Sequence, residues 1–303
     1  MKSRRPAAQS GAPRAARPAD AEPIRITHAD RVVFPPDGAT KGDVAEYYAR
    51  VADRMTPYLE QRLVSVIRVP DSIEAETFFQ RHPMPGMKYG VLRVKQGDKV
   101  YMALDGAEGL RTAAQFGVVE FHGWMSRIDS LDHPDRLIFD LDPDPSVAFD
   151  DVKGAAREIA ERLEAIGLQS WPMISGGKGV HVVAPLDRSL TTGDVETFAH
   201  AFARELAEKQ PARFVATMSK ARRTGRIFID WLRNNKGATA ILPWSLRARP
   251  TAPIAAPLSW RALERAVSAA EYTIKSAAML DDPWEALRAR IQTIPKTAIA
   301  AAR

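Results

Sequence analysis

Apolar residues recur at three- and four-residue steps in some stretches of the chain and crowd into short runs in others, two rhythms that predict helices and strands respectively. Thr40 is placed to cap a helix carrying Val44, Tyr47, Tyr48 and Val51 on its apolar side. A helix is expected from the Asp105-Gly-Ala-Glu-Gly region, and another over Val152 to Ile166, with Val152, Ala156, Ile159, Leu163 and Ile166 in its stripe and Gly167 ending it. Thr192 to Glu208 repeats the pattern with Val195, Phe198, Phe202 and Leu206, while Trp260 to Ala270 and Pro283 to Ile291 read as packing helices. Strands are expected from Leu63 to Pro70, around Phe78 and Phe79, in short pieces after Val91, from Val118 to His122, over Ser170-Trp-Pro-Met-Ile, and at Val180-His-Val-Val.

The strand that organises the rest is Arg136-Leu-Ile-Phe-Asp140-Leu-Asp142-Pro-Asp144. Strand side chains alternate faces, so Asp140 and Asp142 point the same way with Cβ atoms roughly 6 to 7 Å apart. Two hard oxygen ligands aimed at one point suit a divalent cation such as Mg²⁺ or Mn²⁺, although an isolated Asp-x-Asp is more often a solvated turn after an edge strand. Arg226-Ile-Phe-Ile-Asp230 repeats the motif of an apolar run tipped by an acid, and a lone buried carboxylate there is costly unless it is paired or metal-bound. If the two strands are neighbours, three carboxylates converge.

Other residues carry weaker signals. Three glycines in Ser175-Gly-Gly-Lys-Gly let the backbone approach an anion, and Lys178 adds a charge; the spacing is not that of a Walker A loop. His181 follows on a strand, facing away from Val180 and Val182. Arg247 and Arg249 share one face of an extended segment, a geometry suited to a triphosphate. Of adjacent Phe78 and Phe79, the strand alternation allows two-sided burial or one ring free to stack on a base. Arg31 and Lys41 bracket a turn, where cations are usually solvated.

Composition narrows the class. The 303 residues are 45% hydrophobic, enough for one large domain or two intimate lobes. A net charge of +6 admits a polyanionic partner. The chain has no cysteine, which excludes a disulfide framework, a thiolate zinc site and a cysteine nucleophile. No apolar run is long enough to span a bilayer. Residues 1–22 are rich in Ala, Pro and Arg and are expected to be a disordered basic tail, with residues 23–303 forming the folded domain.

Taken in order, Asp140-Leu-Asp142, Ser175-Gly-Gly-Lys-Gly-Val-His181, Phe228-Ile-Asp230-Trp-Leu-Arg233-Asn, and Ala238-Thr-Ala followed by Trp244-Ser-Leu-Arg247-Ala-Arg249 resemble the successive motifs of the polymerase domain of bacterial ligase D, in the archaeo-eukaryotic primase superfamily. The resemblance implies an α+β primase-polymerase fold, with mixed sheets and flanking helices in two lobes around a central cleft. It implies a nucleotidyltransferase that extends or fills 3′ primer ends with NTPs or dNTPs, using two Mn²⁺ or Mg²⁺ ions, during non-homologous end joining. Asp140, Asp142 and Asp230 would be the catalytic metal ligands. Ser175, Lys178, His181, Arg233, Arg247 and Arg249 would surround the nucleotide, and His122 would lie near the metal pocket. Phe78 or Phe79 would stack on template DNA, and Lys41 with Arg31 would hold the 5′-phosphate across a gap. DNA ends or gapped duplexes, Ku and a separate DNA ligase are the partners it implies, in the bacterial cytoplasm by the nucleoid. No Lys-x-Asp-Gly ligase signature occurs, since Leu104-Asp-Gly lacks the lysine; a stand-alone polymerase or one half of a split system is expected. De novo priming, a non-catalytic DNA-end-binding module and a metal-dependent phosphohydrolase are the alternatives.

Overall fold

A computed structural model describes residues 24–277 and 280–302; the expected basic tail, 1–22, lies outside the described residues. Among the described residues the strands form two six-stranded sheets and two small ribbons. The first sheet runs, edge to edge, Phe214–Val215, Ile227–Asp230, Arg136–Pro143, Val180–Pro185, Trp171–Ile174, Ala256–Pro257. The second runs Thr239–Ile241, Val118–Trp124, Leu63–Arg68, Lys99–Leu104, Val91–Gln96, with Phe78–Gln80 paired to the free end of the Leu63–Arg68 strand. One continuous hydrophobic core joins them. The α+β architecture is therefore as expected.

The acid strand, Arg136–Pro143, is central in the first sheet because its odd positions are apolar on the face away from the acids. Phe139 points to that face and stacks on Phe202 of the Thr192–Lys209 helix, ring centroids 4.8 Å apart. The Phe149–Glu164 helix packs against the same strand and its neighbour Val180–Pro185. Both long helices around the second lobe's sheet begin as their sequences foretell. Thr40 and Asp43 cap the Lys41–Leu59 helix reciprocally, Asp43 N–H donating to Thr40 Oγ1 at 3.1 Å and Thr40 N–H to Asp43 Oδ2 at 2.7 Å. The second begins at Gly106 after Asp105.

Several expectations need correction. The strand through His122 continues to Trp124, because Gly123 and Trp124 pair with Ala240 and Thr239. The late helices are short, Trp260–Arg265 and Glu285–Arg288. Phe78 and Phe79 are both exposed, at 40% and 49%, since their three-residue strand sits at a sheet edge. Lys41 is not solvated: it is 4% exposed, its ammonium donating to Thr27 O and Gln115 Oε1.

At the start of the acid strand lies a buried ion cluster. Asp135 accepts from Arg62 Nη2 at 2.6 Å, Arg127 Nε at 3.0 Å and Arg136 Nε at 3.1 Å. Arg62 is fully buried, and burial together with the nearby Arg136 lowers its pKa to about 10 despite Asp135. Truncating one partner of such a cluster strands the other charges in a low-dielectric site. Asp135→Ala is expected to lower the unfolding free energy by about 3–5 kcal/mol in urea titrations, with Asp135→Asn losing less.

Candidate active site

The acids meet because of strand register. Asp140 pairs directly with Asp230 across two antiparallel strands, and Asp142 lies two residues further along on the same face. His181, on the other neighbouring strand, pairs with Asp140 in turn. Its Nε2 stands 3.2 Å from Asp140 Oδ1, while Nδ1 is buried without a hydrogen-bond partner.

Asp230 ends its strand and turns the chain. One oxygen, Oδ1, accepts from Leu232 N–H at 3.1 Å, starting the 3₁₀ turn Trp231–Asn234. Asn234 then substitutes for a missing strand residue. Its amide accepts from Ile138 N–H at 2.9 Å and donates to Ile138 O at 2.8 Å, locking the turn to the acid strand. The lock aims Arg233 back over the carboxylates. Its Nε and Nη2 each lie 3.0 Å from Asp140 Oδ2, and Nη2 lies 3.0 Å from Asp230 Oδ2. Nη1 reaches Thr239 O, in the other sheet, at 3.3 Å.

A cavity of about 350 Å³ opens where the two sheets meet. Asp140, Asp142, His181 and Arg233 form one wall; Ser175, Lys178, Arg247 and Arg249 form another, with His122 on the second sheet's side. Nine of the expected residues thus share one space. Asp230 does not line it, because Arg233 covers it. Phe79 stands at 6.3 Å, edge to face, from His122, so it borders this region, with Arg81 above its ring. Arg31 and Lys41 lie outside the cavity.

The wall that carries the arginines is held by packing from a distance. Arg247 Nη1 donates to Ser175 O at 2.6 Å, tying the arginines to the glycine loop. Ser175 and Gly179 close that loop on each other through Ser175 N–H to Gly179 O at 3.0 Å. A Cβ at Gly179 would stand 2.1 Å from Leu141 O, between the two acids, and one at Gly176 would meet Ile254 backbone at 2.8 Å. Only glycine fits at either position. The Trp244–Arg249 stretch is not a simple extended segment: it bends after Arg247, and Arg249 N–H donates to Arg247 O at 2.8 Å. Tyr47 and Tyr48 of the first helix anchor it, through Trp244 O and Leu246 N–H.

Sequence reasoning missed two contributors. Glu120 is buried on the strand beside His122, accepting from His122 Nε2 at 2.9 Å and Ala248 N–H at 2.8 Å, with Arg247 Nε 3.1 Å away. Its signal was a charge inside the apolar run Val118-Val-Glu-Phe. Burial alone would raise its pKa, but His122 and Arg247 outweigh it and hold the carboxyl at about 2. Burial pushes His122 down, only partly offset by Glu120. Arg223 is the second: it lies 3.3 Å from Asp142 and over the Phe228 ring at 3.8 Å.

The acids themselves are under electrostatic tension. Burial would raise Asp140, but His181 and Arg233 outweigh it and hold it well below the usual carboxylate range. Asp142 and Asp230 go the other way, raised by burial and by the charge of Asp140. Buried hard oxygens that converge and repel one another suit a divalent cation. Among the described residues no three acids or histidines stand grouped closely enough to hold an ion as they are, since Arg233 lies between Asp140 and Asp230.

Comparison with known proteins bears on this geometry. Residues 40–284 match the family model for the LigD primase-polymerase domain. The chain belongs to that family. It is 35% identical over 287 residues to the multifunctional non-homologous end joining protein LigD of Pseudomonas aeruginosa, covering 91% of this chain and 34% of that protein. The bifunctional LigD of Bacillus subtilis is 28% identical over 252 residues, 83% of this chain and 41% of the relative. The chain therefore spans about a third of its multifunctional relatives. The polymerase domain from Mycobacterium tuberculosis ligase D, solved in complex with DNA, superposes with a TM-score of 0.80 at 30% identity, over 88% of this chain and 98% of that one. The chain is accordingly a nucleotidyltransferase domain, of the polymerase rather than the ligase part of LigD, in a family that is metal-dependent. No helix among the described residues is long and apolar enough to cross a membrane.

The depressed Glu120 carboxyl contributes stability that is complete above its ordinary 4.5 and is lost as pH falls through about 2. Glu120→Gln should cost on the order of 3 kcal/mol at pH 6 and flatten the acid limb relative to wild type, read from denaturant unfolding at stepped pH. Gly179→Ala should displace Leu141 and with it both acids, lowering the midpoint of thermal unfolding followed by circular dichroism.

Proposed function

We propose that the cavity binds a nucleoside triphosphate opposite the carboxylates and that the domain adds nucleotides to the 3′ end of a DNA primer at a gap or broken end. The observation that carries this reading is the pairing of Asp140 with Asp230 at the edge of a cavity that Asp140 and Asp142 line and whose other wall bears Lys178, Arg247 and Arg249. Carboxylates alone would repel both substrates, and cations alone would hold them without chemistry.

Asp140, Asp142 and Asp230 would hold the divalent ions, Mn²⁺ or Mg²⁺. When bound, two such ions supply Lewis acidity to the primer hydroxyl and to the triphosphate. The chain's own residues do the rest. Lys178, Arg247 and Arg249 neutralise the phosphates and the charge that develops on the leaving group. Ser175 and the glycine loop offer backbone amides to phosphate oxygens. His181 orients Asp140 and the ionised Glu120 orients Arg247, while burial, against the pull of Glu120, pushes His122 down at the cavity wall.

DNA would approach along the edge where Phe78 and Phe79 are exposed, a stacking platform worth about 1–3 kcal/mol per base. Lys41 and Arg31 would take the 5′-phosphate. Burial and the Arg31 charge lower the Lys41 pKa, and Arg31 Nε has no hydrogen-bond partner, so an anion there relieves both. By analogy with the family, the proposal is completed by end joining in the bacterial cytoplasm, by the nucleoid, with Ku and a separate DNA ligase as partners.

The test is extension of a labelled primer on a gapped duplex with Mn²⁺ and NTP or dNTP. Asp140→Ala should abolish extension, by at least about 10³-fold if it removes a metal ligand, while gel-shift binding to the duplex persists. Extension retained by Asp140→Ala overturns the assignment. Synthesis on a primer-free template would mean priming, and triphosphate hydrolysis without extension would mean a phosphohydrolase.

A further inference from the structure

Arg233 stands where a cation would. Its guanidinium reaches Asp140 Oδ2 and Asp230 Oδ2 at 3.0 Å each, holding apart two carboxylates that register places opposite one another. Like charges directly across a strand pair repel, and a bridging cation removes the penalty. A planar fork can serve both carboxylates at once, which an ammonium cannot do as well. The arginine is also free to leave. Its side chain is 38% exposed and lines the cavity, facing the space between the carboxylates and the wall of Lys178, Arg247 and Arg249. The backbone beneath it is held by its neighbour Asn234, which is locked to Ile138, while the guanidinium is held by polar contacts to Asp140, Asp230 and Thr239 O.

We propose that Arg233 is a positioning residue that exchanges partners: it bridges Asp140 and Asp230 until a divalent ion takes those oxygens, and the released guanidinium then turns into the cavity to bind the triphosphate. The proposal rests on reading the three acids as metal ligands. Metal must compete with Arg233 for the carboxylates, so Arg233 weakens binding of metal alone. Once displaced, the same charge strengthens binding of the nucleotide. Metal and nucleotide are thereby coupled through one side chain, each favouring the state that suits the other. The Nη1 contact to Thr239 O makes the exchange a link between the sheets, since it is given up as the guanidinium swings.

Arg233→Gln separates the two effects. By isothermal calorimetry or Mn²⁺ electron paramagnetic resonance without nucleotide, the variant should bind Mn²⁺ about 3- to 10-fold tighter than wild type. It should melt lower in EDTA and recover on adding Mn²⁺. Its affinity for a non-hydrolysable triphosphate in saturating Mn²⁺ should fall by a similar factor. Opposite signs are the signature: a merely structural arginine would weaken both, and an arginine that only binds nucleotide would leave Mn²⁺ affinity unmoved. Either of those results overturns the proposal. Should Arg233→Gln fail to fold without metal, Arg233→Lys carries the same test, with tighter Mn²⁺ binding expected because lysine bridges poorly; unchanged or weaker binding overturns it. Wild type that binds no Mn²⁺ in the absence of nucleotide, or binds it equally after Asp140→Ala, would instead remove the metal-ligand reading beneath both proposals.

Discussion

Two carboxylates face each other across adjacent antiparallel strands, and most of the site follows from making that tolerable. Asp140 and Asp230 occupy a direct cross-strand pair, the arrangement in which like charges repel most. Both are largely buried, so solvent screens the repulsion only weakly. Positive charge is supplied from two directions. Arg233 bridges the pair and Arg223 reaches Asp142, while the His181 ring stands against Asp140 from the neighbouring strand. The opposed shifts record an unequal division: Asp140 takes the available partners and is held ionised, while its charge and their burial raise Asp142 and Asp230.

The second lobe answers this excess of negative charge with a rigid array of positive charge. Arg247 is fixed by Ser175 O on one sheet and Glu120 on the other, so its position is set by both. Behind it, Tyr47 and Tyr48 fill the space between the first helix and the Trp244–Leu246 backbone, each satisfying a polar group that would otherwise be buried alone. A capped helix on the far side of the lobe thus determines where the Arg247 guanidinium stands. Precision at the cavity is inherited from packing, not from loops.

What could be read in the chain beforehand was what depends on neighbours in sequence. Strand alternation put Asp140 and Asp142 on one face, and helical periodicity placed the Tyr47–Tyr48 helix and its cap. The apolar run before Asp230 marked a second acid-tipped strand, and the family motifs, in order, drew these pieces together. What escaped depends on partners remote in the chain. Glu120 looked like one charge in a strand because Ala248 and Arg247, its reasons for being there, lie far along the sequence. Lys41 looked solvated because nothing local shows that Thr27 and Gln115 would enclose it. Phe78 and Phe79 were open to burial until the edge position of their short strand settled the matter.

Arg233 shows how these levels join. Its sequence neighbours Asp230 and Asn234 determine its backbone, the first by capping the turn and the second by completing the acid strand's hydrogen bonds. Its side chain is long enough to satisfy two acids on one sheet and a carbonyl on the other. A held backbone with a partly exposed guanidinium is what the proposed exchange of partners requires. The buried acids could not be left unpaired while the protein folds, and a permanent buried ion pair would leave them unavailable. An arginine anchored at its backbone and half open at its guanidinium meets both demands, because it can stabilise the acids without being sealed in with them.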